Sequence, residues 1–175
     1  MNEKKSFVRP ALVSDAREIA QMHIETWRTA YAGIVPDDYL ASLSVDTREQ
    51  GWLRMIERGT PNLWVAECSD CIAGLISFGA SREAGEASTL GELMAIYVHP
   101  KFWLCGMGRS LWLAARAQLQ RQGFTSVMLW VLEDNLRARK FYRAEGFVEN
   151  RERSRNITIG GKVLAELYYE VTIGK

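Results

Sequence analysis

The stretch Leu90-Gly91-Glu92-Leu93-Met94-Ala95-Ile96-Tyr97-Val98-His99-Pro100, continued by Lys101-Phe102-Trp103-Leu104-Cys105-Gly106-Met107-Gly108-Arg109, decides how the chain is read. A β-branched and aromatic run stops at a proline, crosses a loop with two glycines and enters an alanine- and leucine-rich segment. The pattern predicts a strand at 90–98, a turn, and a helix at 109–122. A helix N-terminus carries about half a positive charge and backbone N–H groups without intrahelical partners. Gly106 and Gly108 let a ligand approach that backbone closely. The junction therefore suits an anion, phosphate above all. A lone GxG before a helix is weak evidence by itself. No Lys-Ser or Lys-Thr follows it, which excludes a Walker A loop, and the third glycine of a dinucleotide fingerprint is missing.

A second segment completes the pattern. Val127–Leu132 reads as a strand, Glu133-Asp134-Asn135 follows, a helix is expected over 135–145, and the chain turns at Gly146-Phe147. Together the two segments resemble the GNAT acetyltransferase superfamily. Its V-x-P-x-x-[RQ]-x-x-G-x-[GA] loop reads here as Val98-x-Pro100 through Gly106-x-Gly108. Its N-x-x-A-x-x-F-Y-x-x-x-G-F segment reads as Asn135-x-x-Ala138-x-x-Phe141-Tyr142-x-x-x-Gly146-Phe147, complete at every position. Trp103 stands where the family usually has Arg or Gln, and Leu104 where it very often has Gly. Backbone N–H groups bind the pyrophosphate in such a loop, and any residue but proline supplies them. The resemblance covers residues 6–172, so the expectation is a single N-acetyltransferase domain over 1–175.

Composition agrees with one soluble domain. At 175 residues the chain can bury a full core. A net charge of +1 speaks against a sequence-independent grip on nucleic acid or on an anionic membrane. No apolar run reaches the ~20 residues of a membrane span, and the first residues lack a signal peptide's apolar core, so a cytoplasmic location is expected. Cys68 and Cys71 flank Ser69-Asp70 between two strand-like runs, which reads as a hairpin turn rather than a metal or redox site. Cys105 reads as a loop thiol beside the cofactor.

The elements run in the order short strand (7–10), helix from Ser14 to about Ala30, short helices at 37–43 and 47–58, and strands at 63–67, 72–78 and 90–98. Then come a helix at 109–122, a strand at 127–132, a helix at 135–145, and strands near 147–153 and 164–172. This order gives an α/β (α+β) fold, a mixed sheet with helices on both faces. The resemblance implies more: a mostly antiparallel sheet whose fourth and fifth strands splay at mid-sheet. The pantetheine arm of coenzyme A lies in that gap and pairs with the fourth strand.

Acetyl transfer from a thioester to an amine requires a neutral amine, a donor for the oxyanion and a proton for the departing thiolate. An amine of pKa ~10.4 is about 0.1% neutral at pH 7, so a base or a desolvating pocket helps. The resemblance places Tyr142 at the family's usual acid position, although Phe141 and Tyr142 also read as core aromatics. Glu92 is the candidate base, acting directly or through water, because alternation puts it on one face with Met94 and Ile96; a solvated strand end is the other reading. His99 lies on the loop side and is expected to pack or face solvent. Acetyl-CoA, the co-substrate, is expected on Ile96, Tyr97, Val98, Trp103, Leu104, Cys105, Gly106, Met107, Gly108 and Arg109, and on Asn135, Ala138 and Tyr142. Asn135 fits both a pantetheine contact and a helix N-cap. A backbone N–H near Tyr97 or Val98 would serve the oxyanion.

The resemblance implies that the break after the first helix closes over the acceptor, which makes Trp27, Tyr31 and Gly33 the candidate acceptor residues, for a small-molecule or protein amine held by aromatic walls. No metal is expected. Many family members form dimers, and a homodimer is compatible with this chain. Because no cysteine or serine sits in an activated-nucleophile context, direct transfer in a ternary complex is expected. The competing reading is a non-catalytic acyl-CoA-binding sensor.

Overall fold

The computed structural model describes residues 6–68 and 71–174, so the expected turn at Ser69-Asp70 lies outside the described residues. The elements are β1 (Ser6–Pro10), α1 (Ala16–Ala30), α2 (Asp37–Ser42), α3 (Val45–Arg58), β2 (Asn62–Cys68), β3 (Cys71–Ala80), β4 (Leu90–Val98), α4 (Met107–Arg121), β5 (Ser126–Leu132), α5 (Leu136–Ala144), β6 (Val148–Ile159) and β7 (Lys162–Thr172). Short 3-10 turns at Val13–Asp15 and Pro100–Phe102 precede α1 and the glycine loop. The strands form a seven-stranded sheet in the order β1-β2-β3-β4-β5-β7-β6. Every pairing is antiparallel except that of β4 with β5.

Alternation along the strands divides two cores between the faces of the sheet. Val127, Leu129 and Val131 of β5 pack with Leu111, Trp112, Ala115 and Leu119 of α4 and with Tyr142 of α5. Each such buried side chain contributes about 1.5–3 kcal/mol relative to exposure. On the opposite face, Ile19, Ala20 and Met22 of α1 and Trp52 of α3 cover Leu63, Val65 and Leu75. Close packing on the α4 face depends on one glycine: a Cβ on Gly74 of β3 would lie 2.7 Å from the Tyr97 carbonyl oxygen.

The β4–β5 pairing stops early. It joins Leu90 to Ser126, Gly91 to Val127 and Glu92 to Met128, and no further. Beyond Glu92 a bulge enters β4, since Ser77 of β3 faces Ala95 whereas Phe78 faces Leu93. The extra residue, Met94, reverses the alternation. Leu93 and Ile96 consequently share the α4-side core despite their odd spacing. After the bulge the two strands diverge, which is the expected splay.

β6 and β7 are longer than the sequence pattern predicts. They form a hairpin through Gly160 and Gly161, both at positive φ (57° and 80°), as a two-residue turn of the kind that matches strand twist requires. The charged run Arg151-Glu152-Arg153 hides this strand because β6 is an edge and most of its side chains face solvent.

Candidate active site

A cavity of about 530 Å³ occupies the gap between β4 and β5. Its walls come from both sides of the sheet. On one side are Val98, Phe102, Trp103, Gly106, Met107, Gly108, Arg109, Arg137, Ala138, Phe141 and Tyr142; on the other are Thr26, Trp27, Ala30, Tyr31, Trp130, Ile157, Ile159 and Glu166. The gap is therefore a passage through the sheet.

The glycine loop shapes one entrance. Gly106 is the N-cap of α4 in the left-handed conformation (φ 78°). The first bond of the helix ladder runs from Ser110 N–H to the Gly106 carbonyl at 3.0 Å. The N–H groups of Met107, Gly108 and Arg109 precede that ladder and carry the positive end of the helix dipole. A Cβ on Gly108 would lie 3.2 Å from Phe141, so its absence lets α4 sit close against α5. Leu104 adopts φ 61° and its side chain is fully exposed. That is the left-handed region glycine occupies without strain, and it costs an L-residue about 1–2 kcal/mol. Trp103 Nε1 donates to the Val98 carbonyl at 2.6 Å, and the Arg137 guanidinium lies 3.2 Å from the centroid of the Trp103 ring.

Asn135 is 8% exposed, and its Oδ1 accepts from Ala138 N–H at 3.1 Å, which makes it the N-cap of α5. The amide nitrogen keeps its two donors beside the cavity. Tyr142 is buried, and burial holds its phenol above the ordinary value for tyrosine. The phenols of Tyr31 and Tyr97 are raised chiefly by the same desolvation. His23, behind Tyr97, is 4% exposed and packs against Trp27, Trp52 and Tyr97 at centroid distances of 5.5, 5.3 and 4.6 Å. Neither of its ring nitrogens has a hydrogen-bond partner among the described residues. Desolvation, aided by the charge of Arg48, lowers its pKa to about 3.

Most of the expected site residues meet at this cavity, and three do not. Glu92 was expected to share a face with Ile96, but the bulge at Met94 separates them. Its carboxylate is 96% shielded and accepts from Arg82 three times: from backbone N–H at 3.0 Å, Nε at 3.0 Å and Nη2 at 2.5 Å. Glu92 does not line the cavity, so the expected direct contact with the amine is corrected. Cys105 is exposed and outside the lining, because the left-handed loop turns its thiol outward. Gly33 sits exposed in the turn after α1, and only Trp27 and Tyr31 of that group reach the cavity. His99 is engaged elsewhere, as expected: Nδ1 accepts from Lys101 N–H, and Nε2 meets Glu25 at 2.7 Å.

Sequence reasoning missed Glu166, Trp130 and Arg137. For Arg137 a signal existed, since a cation in the first turn of a helix opposes the dipole unless an anion is near. Glu166 and Trp130 gave none, because their meeting depends on the β5–β7 register.

Comparison with known proteins agrees with this geometry. The profile of the acetyltransferase (GNAT) family matches residues 19–147. An uncharacterised N-acetyltransferase of Bacillus subtilis (strain 168), YuaI, is 36% identical over 129 residues, covering 73% of this chain and 72% of that protein. A spermidine N(1)-acetyltransferase of Thermoplasma acidophilum is 25% identical over 145 residues, 80% of this chain and 86% of its own length. Among solved structures, the PaiA N-acetyltransferase of Thermoplasma acidophilum in complex with coenzyme A superposes with a TM-score of 0.78 at 20% identity, covering 96% of this chain and 99% of that one. YncA of Salmonella typhimurium, solved with acetyl-CoA, gives 0.73 at 19% identity, with 97% and 95% covered. The splayed sheet and the anion-ready helix define an acyl-CoA-dependent transferase. The chain belongs to the acetyltransferase (GNAT) family and is an N-acetyltransferase. Relatives named as acetyltransferases favour this reading over the sensor.

Proposed function

We propose that the chain, as a single domain, transfers an acetyl group from acetyl-CoA to a primary amine by direct attack in a ternary complex, with Tyr142 as the acid. The observation that carries this reading is the position of Tyr142: a buried phenol at the gap between β4 and β5, protonated throughout the neutral range. Acetyl-CoA supplies an activated thioester when bound. The residues present fit it: free N–H groups at the start of α4, the cationic side chains Arg109 and Arg137 in the same lining, and an opening between β4 and β5 where their backbone pairing has ended at Glu92 and Met128. Asn135 offers its amide donors, and the backbone near Tyr97 and Val98 offers N–H groups to the developing oxyanion.

A largely apolar cavity favours the neutral form of an entering amine. As the new C–N bond forms and the C–S bond breaks, Tyr142 hands its proton to the departing sulfur. The amine proton leaves through water toward Glu92, the buried carboxylate of β4. The test is calorimetric titration with acetyl-CoA, followed by a thiol-release assay over a panel of primary amines. Binding with turnover on an amine supports the proposal. Binding without turnover on any amine would support the sensor instead.

A further inference from the structure

Glu166 stands where the cavity opens on the α1 side of the sheet, and we infer that it selects acceptors bearing a second cationic group besides the amine that is acetylated. The inference rests on the N-acetyltransferase reading and names the substrate class of the same site.

The β5–β7 ladder places Glu166 opposite Leu132, with its side chain 13% exposed. Glu145, the other carboxylate of the lining, lies across the sheet beside Arg109, at 4.0 Å. Arg155 Nε donates to Glu166 Oε2 at 2.7 Å. The carboxylate retains acceptor capacity at Oε1. Arg155 is also shared, with its Nη1 3.4 Å from Glu83 Oε1. Arg153 reaches Glu83 at 3.9 Å and Glu86 at 2.8 Å. Glu83, Glu86 and Glu166 thus divide two guanidiniums among three carboxylates, while the neighbouring Arg82 is held by Glu92, so this cluster beside the mouth has one more carboxylate than guanidinium.

The walls beside this charge are aromatic and already receive cations. The guanidinium of Arg155 lies 4.3 Å from the Trp130 ring centroid, and that of Arg48 lies 5.3 Å from Trp27. A shielded carboxylate between aromatic faces attracts an ammonium, repels a second carboxylate and gives little to a neutral tail.

The test is calorimetric titration of cadaverine and of pentylamine into the protein saturated with coenzyme A. Cadaverine should bind at least about tenfold tighter than pentylamine. That preference should shrink toward unity in Glu166→Gln, and in the unsubstituted protein as sodium chloride is raised. Equal affinities in the unsubstituted protein, or an undiminished preference in Glu166→Gln, would overturn the inference. The salt series needs no variant and so answers even where Glu166→Gln fails to fold. Because the readout is binding, a failure of the catalytic reading looks different: tight, salt-sensitive diamine binding without thiol release.

Discussion

The indole of Trp103 donates to the carbonyl of Val98, so the last carbonyl of β4 is satisfied from within the loop that follows it. Arg137, stacked on the same ring, ties that loop to the first turn of α5. The fourth strand is the one with which the family pairs pantetheine, and a ligand amide seeking this carbonyl meets the indole there. Trp103→Phe keeps an aromatic ring under Arg137 and removes only the N–H. A typical hydrogen bond contributes about 0.5–1.5 kcal/mol net. Acetyl-CoA should therefore bind several-fold tighter to Trp103→Phe, as measured by calorimetry. Weaker binding would show that the indole orders the loop more than it occupies the strand.

Tyr142→Phe tests the proposed acid. Removing a positioned proton donor should lower kcat by about 100-fold, while acetyl-CoA affinity stays within about twofold because the ring still fills its place. Burial raises the phenol above its ordinary value, so deprotonation of Tyr142 should produce no alkaline fall in rate below about pH 10. A Phe variant with unchanged turnover would falsify the assignment.

Glu92→Gln separates a proton-accepting role from a structural one. The Arg82 contacts make Glu92 part of the fold; because Arg82 is 66% exposed, Glu92→Gln strands no buried cation and loses only charge-assisted hydrogen bonding, about 1.5–3 kcal/mol. Thermal unfolding should shift downward accordingly. If the carboxylate also takes the amine proton through water, the variant's loss of rate should diminish as rising pH deprotonates the amine in solution. A loss that is constant with pH would assign Glu92 to scaffolding alone.

His23 predicts an acid-side weakness. Its imidazole is held neutral down to about pH 3 in the folded chain, whereas the unfolded chain takes up the proton near pH ~6.5. Between these values the unfolded state binds more protons. Stability is then complete above about pH 6.5 and falls as pH drops, by about 1.4 kcal/mol per unit from this group. His23→Leu should flatten that slope, so that urea unfolding at about pH 5 and about pH 8 differs by about 2 kcal/mol less than in the parent. An unaltered slope would place the acid sensitivity elsewhere.

Local pattern carried much of this protein. Strand β4 appears at the expected residues, and the buried stripe of α4 falls on Leu111, Trp112, Ala115 and Leu119 because helical spacing leaves those positions no other place for their apolar surface. The glycine loop and the Asn135 cap were likewise legible, since each depends on the chain within a few residues of itself.

What tertiary structure alone decided lies across the sheet or at a break in alternation. One extra residue at Met94 turns Ile96 away from the face of Glu92, and no periodicity within β4 announces it. The long β6–β7 hairpin brings Glu166 to the cavity, and Arg155 of β6 brings both a partner for Glu166 and a cation for Trp130. By itself the sequence determined the fold class, the glycine loop at the start of α4 and the family motif that carries Tyr142, because these rest on short-range geometry and a complete motif. The exclusion of Glu92 from the cavity lining and the arrival of Glu166 in it were decided by strand register, which sums contacts between residues far apart in the chain.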